Sequence, residues 1–282
     1  MRNKILDADL KPRHLVHFQK GCASWIETLV RDKKIKFSNP MNFNDPWDCM
    51  PHFVSASKYD SMHLRDARDM LRSIRLQSAR TKLERRSARN SVITRQNLAK
   101  SIPEISEKFT DIIRNERRIY CVSIDEVQPI MWSHYADGHR GACLKFSTDN
   151  LFFGSALRVC YSATWPELRL GAPPMQVVEE ILLNKSTDWA YEQEYRIISY
   201  EKFPHLPTNS YDQAVKYNNV ITEGEFTKIP ENSLSEIIFG CQMPQSQRER
   251  VAALVQKYDD SVKVSQAKIV EGRYELAIEN WA

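Results

Sequence analysis

The amino-acid sequence predicts an α+β fold, a single mixed-sheet domain that carries a basic helical insertion. Three observations lead there. Short apolar, β-branched runs are interleaved with stretches of helical spacing, in no regular βαβ alternation. Residues 65–100 hold neither glycine nor proline, and Met70, Leu71 and Ile74 give them a helical stripe. No repeat, low-complexity tract or Pro/Gly-rich linker divides the 282 residues, a length that suits one large domain or two small ones. The expected organisation is therefore one domain over 1–282 with a helical insertion at about 55–118.

Taken in order, Leu15–Gln19 reads as a first strand. Cys22–Asp32 follows as a helix, with Ala23, Ile26, Leu29 and Val30 at helical spacing, and Lys34–Ser38 returns as a strand. Residues 58–118 are expected to be mostly helical, and Ile119–Ile124 to be a buried strand. Gln128–Asp137 is a short helix stopped by Gly138. Gly141–Ser147 and Leu157–Tyr161 are further strands, and Met175–Leu183 is helical. The aromatic, β-branched run from Trp189 to Tyr200 reads as a strand, Ser235–Gly240 as another, Gln245–Lys257 as a helix, and Tyr274–Ile278 as the closing strand.

Composition narrows the setting. With 42% apolar and 27% charged residues the chain resembles an ordinary soluble protein. No run approaches the roughly 18 apolar residues of a membrane span, and the N-terminal segment lacks the apolar core of a secretion signal. Six cysteines occur without Cys-x-x-Cys or histidines at ligand spacing. They read as reduced thiols of a cytoplasmic protein, with neither zinc nor a disulfide framework expected. The net charge of +4 conceals an asymmetry, because residues 65–100 carry eleven basic and three acidic side chains. That segment suits a nucleic acid or another acidic partner, with Arg85, Arg86 and Arg89 as candidate contacts. The plainer reading is a solvated helical face, since aromatics for base stacking are absent there.

Four clusters hold polar residues that a plain core would not need. On a strand, Glu192, Glu194 and Arg196 would share one face. Two carboxylates so placed repel unless compensated, and can steady a developing positive charge or take a proton. Solvated charges paired to a neighbour are the plainer reading. His17 lies within the first strand, where imidazole can be structural or can hydrogen-bond a ribose hydroxyl. Phe37–Asp48 is rich in Asn, Asp and Pro and reads as a tightly folded loop. A magnesium site from Asp45 and Asp48 is weak, because no third carboxylate is placed with them. Finally Trp132, Ser133, His134, Tyr135 and Asp137 crowd one short helix. Its aromatic face suits a flat heterocycle, or equally the core.

Phe43–Asp48, Met131–Ala136, Trp189–Arg196 and Ile237–Gly240 occur in the order seen in a bacterial family, domain-of-unknown-function family number 2971. The chain resembles that family over roughly residues 14 to 279. More distantly, the order of a strand with His, a helix, a strand ending in Ser, an aromatic helix and a Glu-x-Glu strand resembles the mono-ADP-ribosyltransferase fold. That resemblance implies that His17 holds the adenosine ribose of NAD+, and that Ser38 or Tyr135 supports the nicotinamide pocket. Trp132 and His134 would lie beside it, Glu194 would be catalytic, and Glu192 would serve transfer to an acceptor. A role as a toxin or an antiviral, phage-defence effector is the family-style expectation. The insertion before Ile119 is large for that fold, and no clear Ser-Thr-Ser is present.

The residues suit such chemistry. Breaking the nicotinamide–ribose bond passes through an oxocarbenium-like state, which a carboxylate stabilises more than it stabilises the ground state. NAD+ is then a substrate, and no metal is expected. The acceptor is a protein, a nucleic acid or water. Two other classes stay open: a non-catalytic nucleotide-binding or interaction module, and a metal-dependent nuclease using Asp45, Asp48, Glu192 and Glu194.

Overall fold

The alternation in Leu15–Gln19 is realised as strand β1 (His14–Gln19), which pairs antiparallel with β4 (Ala142–Ser147), His17 opposite Leu144. The computed structural model describes residues 12–21, 23–172, 177, 180–201, 221–222 and 224–281. It divides into two compact units: residues 1–39, 116–159 and 188–282 form the first, and residues 40–115 and 160–187 the second. The second unit takes in the helical segment expected at 55–118 and adds a loop before it and a stretch far downstream.

In the first unit a five-stranded mixed sheet runs β1-β4-β11-β12-β13, with β11 at Leu234–Phe239, β12 at Lys263–Ile269 and β13 at Leu276–Asn280. The β11–β12 pair is parallel and is joined through helix α7 (Gln245–Tyr258), as a parallel crossover requires. Strand β12 is not evident in the sequence, because Lys263-Val-Ser-Gln-Ala-Lys-Ile has little apolar content; its buried Ser265 and Ala267 occupy a sheet interior set by neighbours. A second sheet runs β3-β8-β5, with β3 at Arg117–Val122, β8 at Tyr195–Glu201 and β5 at Leu157–Arg158; β9 (Ile221–Thr222) pairs with β8. Short strands β2 (Lys34–Lys36) and β10 (Phe226–Lys228) pair antiparallel. The main core joins Leu15, Leu144, Phe146 and Ile237 of the first sheet to Tyr120, Val122 and Ile197 of the second. Ile26, Leu29 and Val30 of helix α1 (Ala23–Asp32) and Val251 and Val255 of α7 complete it. The alternate residues Val16, Phe18, Cys143, Ile238 and Ala267 form a separate core on the other face of the first sheet, as period-two alternation dictates.

The second unit has its own core, from Val54, Tyr59, Leu64, Leu71, Ile93, Leu98 and Leu170 among others. The basic segment is not one helix. It is broken into α2 (Ser61–Ser78), α3 (Lys82–Asn90) and the start of α4 (Arg95–Glu116). Thr81 and Glu84 close a capping box that starts α3 afresh, a signature present in the sequence as Thr-x-x-Glu. Leu71 is buried and Met70 packs against this core; the side chain of Ile74 lies outside the described residues. The strand expected over Leu157–Tyr161 is two, because β5 belongs to the first unit and β6 (Cys160–Ser162) pairs in the second with β7 (Asn184–Ser186). The helix expected over Met175–Leu183 lies partly outside the described residues, of which 177 and 180–182 are helical. Cys49, Cys121, Cys143, Cys160 and Cys241 carry free thiols; Cys22 lies outside the described residues.

The largest correction concerns Trp189–Arg196. Thr187–Glu192 is a 3₁₀ turn, Gln193 adopts a left-handed φ of 44°, and β8 starts only at Tyr195. The Gln193 N–H closes back on the Ala190 carbonyl, and the Glu194 carbonyl then accepts the Val159 N–H at 2.9 Å as the strand begins. Glu192 and Glu194 therefore do not share a strand face, because Glu192 ends the turn, Gln193 is left-handed and both acids precede the strand.

Candidate functional site

Helix α5 (Pro129–Tyr135) starts with proline, whose missing N–H is no loss in a first turn. It buries Met131 and Trp132 against Val16, Phe18 and Cys143, and leaves His134 exposed with Tyr135 half-buried. Asp137, Gly138 and His139 then turn the chain with φ of 51°, 57° and 66°. The turn rests on a backbone-to-backbone contact in which the Gly240 N–H donates to the Gly141 carbonyl at 2.9 Å. A Cβ at Gly240 would lie 2.0 Å from the His139 carbonyl oxygen, so only glycine fits there. That contact gives the Ile237–Gly240 motif a structural reason.

Against α5 the turn at Thr187–Glu192 presents Trp189, Tyr191 and Glu192. The Tyr135 hydroxyl donates to Glu192 Oε1 at 2.6 Å, and His134 Nδ1 lies 3.1 Å from the Tyr191 hydroxyl. The His134 ring makes edge contacts with Tyr135, Trp189 and Tyr191 at 6.0, 6.3 and 6.2 Å between centroids. Ser123 Oγ donates to the Glu192 main-chain carbonyl at 2.6 Å, which fixes the turn to the end of β3. Glu192 is only 3% exposed. It is held by a neutral phenol at the base of an aromatic group whose outer members reach solvent.

Glu194 has a different environment. Arg196 Nε and Nη2 donate to its Oε1 and Oε2 at 2.7 and 3.1 Å, and both residues are buried. Such a fork neutralises the carboxylate in place. The Tyr135 hydroxyl thus bonds one acid, and the Arg196 guanidinium forks onto the other.

The other expected site residues are dispersed. His17 Nδ1 lies 2.8 Å from the Cys121 carbonyl, and its ring stacks on Tyr120 at 4.3 Å. It sits on the face of β1 that carries Leu15, whereas Tyr135 packs with Val16 and Phe18 on the opposite face. His17 and Tyr135 therefore do not meet in one cleft. Ser38 is exposed and bridges Ile119 through its backbone, four strand positions, or about 13 Å, from Ser123. Trp132 is a core residue without exposed surface, and its indole N–H donates to the Glu126 carbonyl at 2.7 Å. It can back the site but offers no face to a ligand. Ser123 was not among the candidates, although a serine near the end of an apolar strand was a signal for it.

Burial lowers the pKa of His17 from 6.5 to about 4, outweighing its bond to the Cys121 carbonyl. The neutral imidazole therefore donates from Nδ1. Between pH 6.5 and 4 the unfolded chain takes up a proton that the folded one refuses. Stability should accordingly fall by about 3 kcal/mol as the pH drops through that window, with no His17 contribution to the slope above it. Urea denaturation of wild type and His17→Gln at pH 7, 5.5 and 4.5 checks this; an unchanged pH slope in the variant would show that His17 is not the responsible group.

In the second unit Asp45 and Asp48 are tied into structure. Asp45 Oδ1 accepts the Trp47 N–H at 2.9 Å, and Asp48 lies 3.8 Å from Lys185, both buried. Among the described residues no group of three His, Cys, Asp or Glu side chains is placed to hold a metal ion. No described helix is long and apolar enough to cross a membrane.

Residues 131–197 match the family described as Protein of unknown function (DUF2971), as the motifs led us to expect. The match takes in Met131–Ala136 and Trp189–Arg196, and Phe43–Asp48 and Ile237–Gly240 fall outside it. Comparison with curated proteins and with solved structures gave no significant match.

Proposed function

We propose that this chain, which matches a family of unknown function, binds NAD+ at the His134–Tyr135–Tyr191–Glu192 cluster. There it cleaves the nicotinamide–ribose bond in the manner of an ADP-ribosyltransferase or NAD glycohydrolase. The observation that carries the reading is the Glu192 carboxylate, oriented by the Tyr135 hydroxyl beside exposed His134 and the Trp189 and Tyr191 rings. Aromatic rings around a few convergent polar groups suit a flat heterocycle. As the C1′–N bond breaks, nicotinamide leaves neutral with the electron pair and positive charge develops on the ribose. An acceptor hydroxyl or water then forms the new bond to C1′ and loses its proton.

Glu192 is the better candidate for stabilising that charge, because the Tyr135 hydroxyl orients its carboxylate beside the aromatic group, while the Arg196 guanidinium forks onto Glu194. Glu194 is then a positioning residue, which reverses the order of roles expected from the sequence. The burial of Glu192 also favours a second reading, in which the site binds a nucleotide without turnover.

Incubating the wild-type protein with NAD+ tests the proposal. Nicotinamide release supports cleavage; saturable NAD+ binding in calorimetry without release supports the module; neither result would overturn both readings.

A further inference from the structure

The basic segment was read as one footprint, but the structure sorts its charges into two kinds. Arg68 Nε donates to the Ile93 carbonyl at 2.7 Å, Arg72 Nη2 reaches the Ser91 carbonyl at 3.5 Å, and Arg95 Nη2 donates to the Tyr59 carbonyl at 2.7 Å. These three arginines tie α2, α4 and the intervening turns together. Lys82, Arg85, Arg86 and Arg89 of α3 are all exposed, and no side-chain hydrogen bond or ion pair joins them to the described chain.

Their spacing matters. At about 100° per residue these four positions fall within roughly 100° of arc, on one side of the helix. Ala88, the one buried residue of α3, and Glu84 and Ser87 lie well outside that arc. The latter three line a hollow of about 450 Å³ with Arg75, Ala79 and Ser91. Glu84, the one acid of α3, is turned to the helix start, where its Oε2 accepts the Arg80 and Thr81 N–H groups at 2.7 and 2.9 Å. The outer face is thus a pure cationic stripe about 10 Å long.

We infer that α3 is a docking element for the phosphate backbone of double-stranded nucleic acid, read without regard to sequence. Three of the four cations are arginines, whose planar fork matches phosphate oxygens. The stripe spans about three phosphate steps along one strand of a duplex. It contains no aromatic side chain on which unpaired bases could stack, which favours a duplex over a single strand. Leu83 is the one large apolar side chain exposed on α3, and it lies about 60° beyond the edge of the stripe, too little apolar surface to anchor the helix among lipid tails. The inference does not depend on NAD+ cleavage, since it rests on a different unit of the chain.

The experiment is fluorescence anisotropy of a labelled 20-base-pair duplex of arbitrary sequence with the full chain, between 50 and 200 mM salt. Four phosphate contacts imply a log–log slope of about −3.6, or roughly 100-fold weaker binding across that range. Replacing Arg85, Arg86 and Arg89 by alanine, the best helix former, should flatten the slope by nearly three. Replacing Lys20, Lys100 and Arg250, three exposed cations elsewhere, removes the same charge and should leave the slope nearly unchanged. Lysine at 85, 86 and 89 should retain most of the slope. The inference is overturned if wild type does not bind at 50 mM salt, if both alanine triples lose binding equally, or if anionic vesicles or a single strand compete better than the duplex. Unfolding of the α3 triple in a thermal scan would show that the stripe has a structural role and would likewise overturn it.

Discussion

Glu192→Gln is expected to slow nicotinamide release by about 10²–10³-fold, the usual consequence of removing one electrostatic stabiliser from a transition state. Glutamine keeps the size of the side chain and an oxygen for the Tyr135 hydroxyl, which now donates to Oε1 at 2.6 Å. It removes the charge. The fold should tolerate this, because glutamine can still accept from the Tyr135 hydroxyl and leaves the Ser123 bond to the main-chain carbonyl untouched. The melting temperature should move by no more than a few degrees. Release rates and thermal scans of both proteins, run together, check the prediction. Equal release from a well-folded Glu192→Gln would make the acid structural and would end its catalytic assignment.

Glu194→Ala should instead show itself as instability. Removing one member of a buried ion pair typically costs about 3–5 kcal/mol, because the other charge stays in the core with that partner lost. Arg196 is 0% exposed, so its guanidinium cannot turn to water in the folded state. A loss of that size is a large part of a typical total of about 5–15 kcal/mol. The double replacement Glu194→Met with Arg196→Met should recover much of it, since well-packed apolar residues of similar volume often match a buried pair. Urea unfolding of wild type, the single variant and the double variant measures the difference. If the single variant is as stable as wild type, the pair is dispensable and Glu194 becomes free for the catalytic role first expected of it.

Much of the fold was legible because its signals are local. Helix α1 follows from Ile26, Leu29 and Val30 at helical spacing, and all three are buried. Strands β1, β4 and β11 follow from short apolar runs, and their alternation decided which residues enter which core. The breaks within the basic segment were legible too, had the Thr81–Glu84 capping signature been used. Strand β12 was not, because its place beside β11 comes from sheet pairing rather than from apolar content.

Of the candidate site, residue types alone marked His134, Tyr135 and Glu192, for the density of aromatic and acidic groups in two short segments sets them apart. The mixed α+β character and the helical nature of the basic region were likewise determined by pattern, since periodicity is a property of the chain itself. Which acid meets which partner was decided only in three dimensions. A single left-handed residue, Gln193 at φ 44°, sends Glu192 to Tyr135 and Glu194 to Arg196, and no local propensity foretells a left-handed glutamine. The separation of His17 from Tyr135 was decided the same way. Both sit beside Val16 and Phe18, yet strand alternation puts them on opposite faces of one sheet, and only the packing on each face shows which groups can act together.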